Sequence, residues 1–295
     1  MTAILFIIVV LAWGLSWYGI HLQLGPVPAD TSIFLRFFLG TIMLWLWLWL
    51  TKRWQPVSWR QHRWFAALGM CLFCVNFQCF YAAEAYIPSG IVSVVFSLAT
   101  VFNAGNQWLY HGIRPAPRVV AGAALGTCGV GLLFADQLQL QGTQTALGIA
   151  LALAGTYCFS LGNLVSRRIT AEGITLPNAV ARAMAWGTLV LAGGVVLRGH
   201  GFAPEWSAQY LGALLYLSVI ASVVAFLAYL SVVARIGPER AAYVTVISPI
   251  IALTLSTVLE GYAWSLYAML GLPLILAGNV VIFLPSYRLQ RLKPV

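Results

Sequence analysis

The sequence predicts an all-α polytopic membrane protein of ten transmembrane helices, arranged as two inverted five-helix repeats. Three observations carry this. Charged residues make up 8% of the 295-residue chain and hydrophobic ones 61%, against about 25% and 45–50% in soluble domains. So few charges could not cover a water-soluble fold of this length, and no stretch is polar enough to form a soluble domain of its own. Basic residues recur in alternate segments between apolar runs, and the second half of the chain resembles the first.

A bilayer core takes about 20 mostly apolar residues per helix. Such runs fall near 3–22, 30–51, 64–86, 89–111, 116–135, 146–166, 178–198, 208–234, 238–260 and 264–285. Gly25-Pro26-Val27-Pro28, Pro88-Ser89-Gly90, Arg114-Pro115-Ala116-Pro117 and Gly237-Pro238 mark joins, because proline favours a turn or a helix start over continued helix. The first run lacks a basic leader, and Trp13-Gly14-Leu15-Ser16-Trp17-Tyr18 offers no small-residue cleavage site. It reads as a retained span, not a secretory signal.

Thirteen of the sixteen Lys and Arg lie in alternate loops or the tail: Lys52, Arg53, Arg60 and Arg63; Arg114 and Arg118; Arg167 and Arg168; Arg235 and Arg240; Arg288, Arg291 and Lys293. The intervening loops hold only Arg198, near Asp30, Asp136, Glu205 and Glu260. The positive-inside rule places the thirteen, and with them both termini, in the cytoplasm, as expected for a multi-pass protein of the bacterial inner membrane. The net charge of +9 is thereby accounted for without nucleic acid. Cys71, Cys74, Cys79, Cys128 and Cys158 all lie in apolar runs. The Cys71-x-x-Cys74 pair has no second pair or histidine beside it, so packing is expected, with no disulfide, metal or cofactor.

A shift of 149 residues lays His111-Gly112 on Glu260-Gly261, Gly122 on Gly271 and Gly129 on Gly278. A looser offset of 144–147 pairs Ser16 with Ser160, Arg36 with Arg182 and Gly40 with Gly187. The repeats are expected at 1–140 and 141–295. Five spans is an odd number, so the second copy enters the membrane in the opposite sense. Inverted repeats of this kind are a transporter signature, with the site near the midplane between halves.

Ten spans, a 5+5 repeat, Trp13-Gly14-Leu15-Ser16 in span one and an Arg near the start of spans two and seven together resemble the drug/metabolite transporter superfamily. The glycine-spaced fifth and tenth spans, Gly122 to Gly129 and Gly271 to Gly278, resemble its EamA-type domain, present twice. The acidic residue common at the ends of spans four and nine in that family is met by Glu260 but replaced by His111. The resemblance implies alternating access, a structural back wall made of spans five and ten, and export of amino acids, aromatic ones included, as in the YddG type.

Gly122-x-x-x-Gly126, extended by Gly129 and Gly131, suits close helix contact. The echo of a nucleotide fingerprint in Gly126 to Gly131 lacks the strand and soluble fold that motif needs. Polar and aromatic residues near mid-span mark a substrate cavity: Trp17; Asn76 and Phe80; Phe96 and Thr100; Tyr157, Phe159 and Asn163; Thr245 and Ser248. Spans one, three, four, six, eight and nine are expected to line it. An Asn at that depth either bonds a neighbouring helix or faces the cavity. Pro249 in span nine frees the carbonyl of Thr245 and is expected to act as a hinge, a packing kink being the alternative. Thr100 holds the corresponding place in span four.

Arg36 and Arg182 lie a turn or two inside their spans and read as interfacial anchors, with substrate contact as the alternative. Glu84, the carboxylate clearly inside a span, lies near the outer end of span three and reads as reaching water or pairing with a neighbour. Without a deep carboxylate, flux down the substrate gradient is expected, with no proton coupling. Neither lysine, Lys52 or Lys293, follows a Gly-rich loop, and H-E-x-x-H, G-x-S-x-G and paired intramembrane aspartates are missing. A membrane-embedded enzyme or a channel would therefore work without a recognisable catalytic or filter motif. The aromatic, near-neutral wall suits neutral or zwitterionic small molecules with apolar side chains.

Overall fold

The computed structural model describes residues 2–25, 27–141, 143–236 and 244–283, and among these there are helices, turns and no strand. In chain order the helices are α1 (Thr2–His21), α2 (Ala29–Leu50), α3 (Trp59–Glu84), α4 (Ser89–His111), α5 (Pro117–Gln141), α6 (Thr143–Ala171), α7 (Leu176–Leu197), α8 (208–236), α9 (Val244–Leu259) and α10 (Leu266–Phe283). Seven are long and apolar enough to cross a bilayer, while α5, α9 and α10 offer apolar stretches of 10–17 residues. The protein is thus an all-α polytopic membrane protein. Pro26, the Gly237-Pro238 join, Arg240 and the basic tail with Arg288, Arg291 and Lys293 lie outside the described residues.

Proline and glycine punctuate the chain as their chemistry requires. Pro28 and Pro88 precede α2 and α4 and Pro117 opens α5, where a missing N–H costs nothing. Gly112 and Gly261 end α4 and follow α9 at φ of 67° and 70°, the left-handed turn in which glycine closes a helix without strain. These two glycines stand 149 residues apart, matching the internal repeat.

The packing follows the same symmetry. Helix α2 packs on α7, α4 on α9 and α5 on α10. The α3–α6 contact has its counterpart in α8–α1, α3–α7 in α8–α2, and α1–α9 in α6–α4. Replacing each helix by the one five places on reproduces the set. Outward faces carry large apolar side chains such as Trp49 and Leu197, 71% and 88% exposed, as a lipid-facing surface does.

Two backbones also come close together along the α5–α10 seam. A Cβ built on Gly129 would sit 2.5 Å from the carbonyl oxygen of Gly271, and one on Gly278 would sit 2.5 Å from that of Gly122. Lipid gives no hydrophobic drive for helices to associate, so close van der Waals contact between small residues must supply it. Gly131, on the same helix, has nothing within 4 Å of such a Cβ. Gly129→Leu or Gly271→Leu should therefore lower folded yield and the thermal midpoint in detergent. The cost should reach at least the ~1–3 kcal/mol of ordinary overpacking. Gly131→Leu should leave both within error, and equal damage from it would remove the seam as the cause.

Candidate functional site

Several departures from regular α geometry among the described helices surround one cavity. Helix α3 widens to a π-helix over Met70–Val75 and α8 does so over Tyr216–Val224; these are corresponding positions in the two repeats. Helix α4 is interrupted at Ser97 and Leu98, and α9 carries Pro249 inside its length. Wide turns leave backbone carbonyls short of partners, and π segments are frequent at functional sites. Here side chains tie the wide turn of α8 and the helix α1 together in both directions. The Trp13 indole N–H donates to the Ala221 carbonyl at 3.2 Å and the Tyr216 hydroxyl donates to that of Ala12 at 2.8 Å. At the α4 interruption, Asn279 of α10 donates to Ser97 Oγ at 3.1 Å and accepts from Thr100 Oγ1 at 2.8 Å.

The cavity holds about 280 Å³, at the lower edge of the roughly 300–1,000 Å³ of small-molecule sites. Trp17, Asn76, Phe80, Phe96, Thr100, Phe159, Asn163, Thr245, Ser248 and Pro249 all line it. Tyr157 does not and is a correction. It sits two residues before Phe159, about 200° around the helix, is 37% exposed, and packs its ring on Phe102 with centroids 5.6 Å apart. The lining also takes in α2 and α7, through Arg36 and Phe37 and through Leu176 and Val180, which the sequence did not place there. Phe73 and Phe77 of α3 were missed as well, although Phe73, Phe77 and Phe80 recur at helical spacing.

Aromatic rings form the wall. Trp17 meets Phe80 and Phe96 at 5.3 and 5.5 Å, Phe80 meets Phe96 at 5.6 Å, and Phe96 meets Phe159 at 4.8 Å, with rings tilted or edge to face. Such geometry lets the positive edge of one ring face the negative face of the next. Across α4 and α6, Asn106 donates to Ser160 Oγ at 2.8 Å, and Ser160 and Asn163 both donate to Asn103 Oδ1 at 2.8 and 3.2 Å. Asn163 and Asn103 therefore join helices and line the cavity at once.

The two intramembrane arginines differ. Arg182 donates to the Asn178 carbonyl and side chain at 3.1 and 2.9 Å and to the Gln55 carbonyl, and it stacks 4.1 Å over Trp54. It clasps the loop after α2 to the start of α7, as an anchor does. Arg36 is no interfacial anchor. It is buried, lines the cavity, donates through Nε to Ser222 Oγ at 3.2 Å and lies 4.5 Å over Phe77. Glu84 also departs from its sequence reading, being buried with neither carboxylate oxygen hydrogen-bonded.

Polar contacts close the end of the bundle where α1, α3, α7 and α9 finish. Asp30 at the start of α2 pairs with Arg198 at 3.2 Å and His200 at 2.9 Å beyond α7. Ser32 meets the Tyr210 hydroxyl at 2.8 Å, and the Tyr81 hydroxyl donates to Gln23 at 2.6 Å. Glu260 accepts from the backbone N–H of Ser89 at 3.0 Å and from its hydroxyl, a carboxylate placed at a helix N-terminus as the dipole favours. Towards the opposite end the cavity lining continues through Ser166, Leu176 and Val180. No group of three or more His, Cys, Asp or Glu among the described residues could hold a metal ion.

A multi-helix membrane bundle around an aromatic-walled cavity has the form of a small-molecule carrier. The chain belongs to the EamA-like transporter family, whose model matches residues 1–135 and again residues 146–284. It is 26% identical over 284 residues to the uncharacterized inner membrane transporter YedA of Escherichia coli K12, covering 96% of this chain and 90% of that one. It is 25% identical to protein PagO of Salmonella typhimurium, covering 91% of this chain and 88% of that one. It is 24% identical to a probable amino-acid metabolite efflux pump of Escherichia coli K12, covering 93% and 92%. A solved crystal structure superposes with a TM-score of 0.69 at 17% identity over 98% of this chain and 99% of that one, a likeness of fold. The protein is a membrane transporter. In a transport assay, Tyr157→Ala should keep wild-type flux whereas Phe96→Ala, which removes a ring touching Trp17, Phe80 and Phe159, should lower it several-fold; the reverse order would put the cavity on the other face of α6.

Proposed function

We propose that the protein exports small neutral or zwitterionic metabolites, amino acids with aromatic or apolar side chains foremost, across the bacterial inner membrane. Transport proceeds by alternating access between two inverted five-helix halves, 1–140 and 141–295. The observation that carries this reading is the cavity itself: about 280 Å³, walled by Trp17, Phe80, Phe96 and Phe159, and lined with uncharged hydrogen-bonding groups such as Asn76, Thr100, Asn163 and Thr245. Aromatic faces take an apolar side chain without losing hydrogen bonds, while the amides and hydroxyls replace water around polar groups. The probable amino-acid metabolite efflux pump among the relatives supports the same substrate class, and the matching of the family model to each half supports the two-repeat organisation. Pro249, inside α9 and facing the cavity, is assigned the hinge, since the carbonyl of Thr245 has no N–H from residue 249 to restrain it.

Counterflow of labelled amino acids into liposomes holding the purified protein tests the reading. Phenylalanine, tryptophan and leucine should exchange faster than lysine or glutamate, and an absence of exchange for every amino acid would overturn it. Asn163→Ala, Phe80→Ala and Thr245→Ala should each lower the rate or apparent affinity several-fold while leaving the thermal midpoint near wild type. Three variants that transport normally would show that substrate does not touch this face.

Orientation has its own test. With both termini in the cytoplasm, a cysteine introduced at Ser207, at the start of α8, should react with an impermeant maleimide on intact cells. One at Arg114, between α4 and α5, should react only after the membrane is opened. The opposite pattern would invert the topology.

A further inference from the structure

Two buried charged groups near the closed end of the cavity are left incompletely paired by the protein. Arg36 is 4% exposed and lines the cavity. Its Nε is bonded to Ser222 and its plane stacks on Phe77, but Nη1 is buried without a hydrogen-bond partner. Glu84 is 6% exposed and both its carboxylate oxygens are without one. Among the described residues, Glu260 from the end of α9, Arg36 from α2 and Tyr81 from its own helix interact electrostatically with Glu84. Tyr216 of α8 faces Arg36 as well. Tyr81 gives its hydroxyl hydrogen to Gln23, and Glu260 is taken up by Ser89 and Ser256. Among the described residues, Arg36 is thus the cation whose charge acts on Glu84.

An ionised group in a dry site is costly unless it is paired and hydrogen-bonded. A guanidinium offers its N–H groups in a planar fork that matches a carboxylate. We propose that Arg36 binds the carboxylate of the substrate at the closed end of the cavity, and that Glu84 takes up a proton as this carboxylate arrives. The proposal rests on the carrier reading above and narrows its substrate to carboxylates with an apolar or aromatic body. One guanidinium balances one anion. With the cavity empty, the positive charge of Arg36 acts on the Glu84 carboxylate across a gap, with no hydrogen bond between them. With a substrate carboxylate on the free edge of Arg36, Glu84 is left between a neutralised arginine and Glu260, and its anion has no compensation. A hydronium ion gives its proton to a carboxylate oxygen of Glu84, its O–H bond breaking to leave water, and one proton is carried with each carboxylate. Uncoupled flux, expected from a water-accessible Glu84, is replaced by coupled flux.

Liposomes holding the full-length protein and the pH dye pyranine test this with three probes: L-phenylalanine, 3-phenylpropionate and L-phenylalaninamide. The wild type should move the two acids at least about tenfold faster than the amide, as expected for loss of a charge-assisted hydrogen bond, and proton movement should accompany the acids. Arg36→Gln should abolish that preference and Arg36→Lys should restore only part of it. Glu84→Gln should keep the preference while losing both the pyranine signal and any response to an imposed pH gradient. Equal flux of acid and amide through the wild type overturns the Arg36 site and leaves the carrier reading standing. Flux of none of the three probes overturns both. A Glu84→Gln variant whose acid flux still moves protons overturns the role of Glu84. Gel filtration reports whether each variant is folded; if Arg36→Gln is not, the acid-to-amide ratio of the wild type decides.

Discussion

In hydrocarbon a backbone N–H or C=O has no water to turn to, so each must be satisfied inside the protein. Most of this architecture follows from that constraint. Two backbones can meet, as at the glycines of α5 and α10, because most backbone groups there are already used along their own helix. Irregular backbone occurs beside side chains able to serve it. The π segment of α8 receives the Trp13 indole, and the interruption in α4 is braced by Asn279. Those irregular turns and Pro249 ring the cavity. The hollow space lies where helical regularity has been given up, and nearby polar side chains make that tolerable.

The two repeats share their backbone plan but not their chemistry. Arg36 and Arg182 occupy corresponding places near the starts of α2 and α7. Arg182 is saturated by Asn178 and the Gln55 carbonyl. At the corresponding start of α2, Asp30 holds Arg198 and His200 while Thr31 bonds the Gly201 carbonyl, so the loop is fastened without help from Arg36. That frees the guanidinium to turn inward. Glu260 and His111 part company in the same way: Glu260 caps α4, whereas His111, its counterpart, is exposed. A symmetric scaffold has become an asymmetric cavity by exchange of a few polar contacts.

Much of the fold was legible in the sequence because it is written in composition and period. Apolar runs of membrane length, prolines at joins and the 149-residue spacing of glycines each have a direct physical reading, and the seam at Gly122, Gly129, Gly271 and Gly278 follows from them. The site was legible less evenly. Asn163 and Phe80 were found because polar and aromatic residues at mid-depth need somewhere to go. Tyr157 was misplaced because density of aromatic residues marks a helix but not a face, and only the neighbours of α6 decide that Phe159 points inward. Arg36 and Glu84 were misread for a common reason. Sequence gives the distance of a residue from the end of its helix, and both lie near an end, but the chain near Gly201 and Tyr210 and the Glu260 turn fold over that end and bury it. The interruption at Ser97 carries no proline, and nothing in Met70–Val75 announces a π turn.

Those π turns bear on how the bundle moves. A π-helix accommodates more residues per turn than an α-helix, and each residue of an α-helix is set about 100° around the axis from the last. The part of α3 beyond Val75, which bears Phe77, Phe80 and Glu84, is therefore rotated relative to the part before Met70, and the end of α8 with Phe226 and Tyr229 is rotated in the same sense. Tightening either wide turn to α geometry would swing that half-helix like a key in a lock, exchanging the residues it shows to the cavity without breaking a span or dragging a polar backbone through lipid.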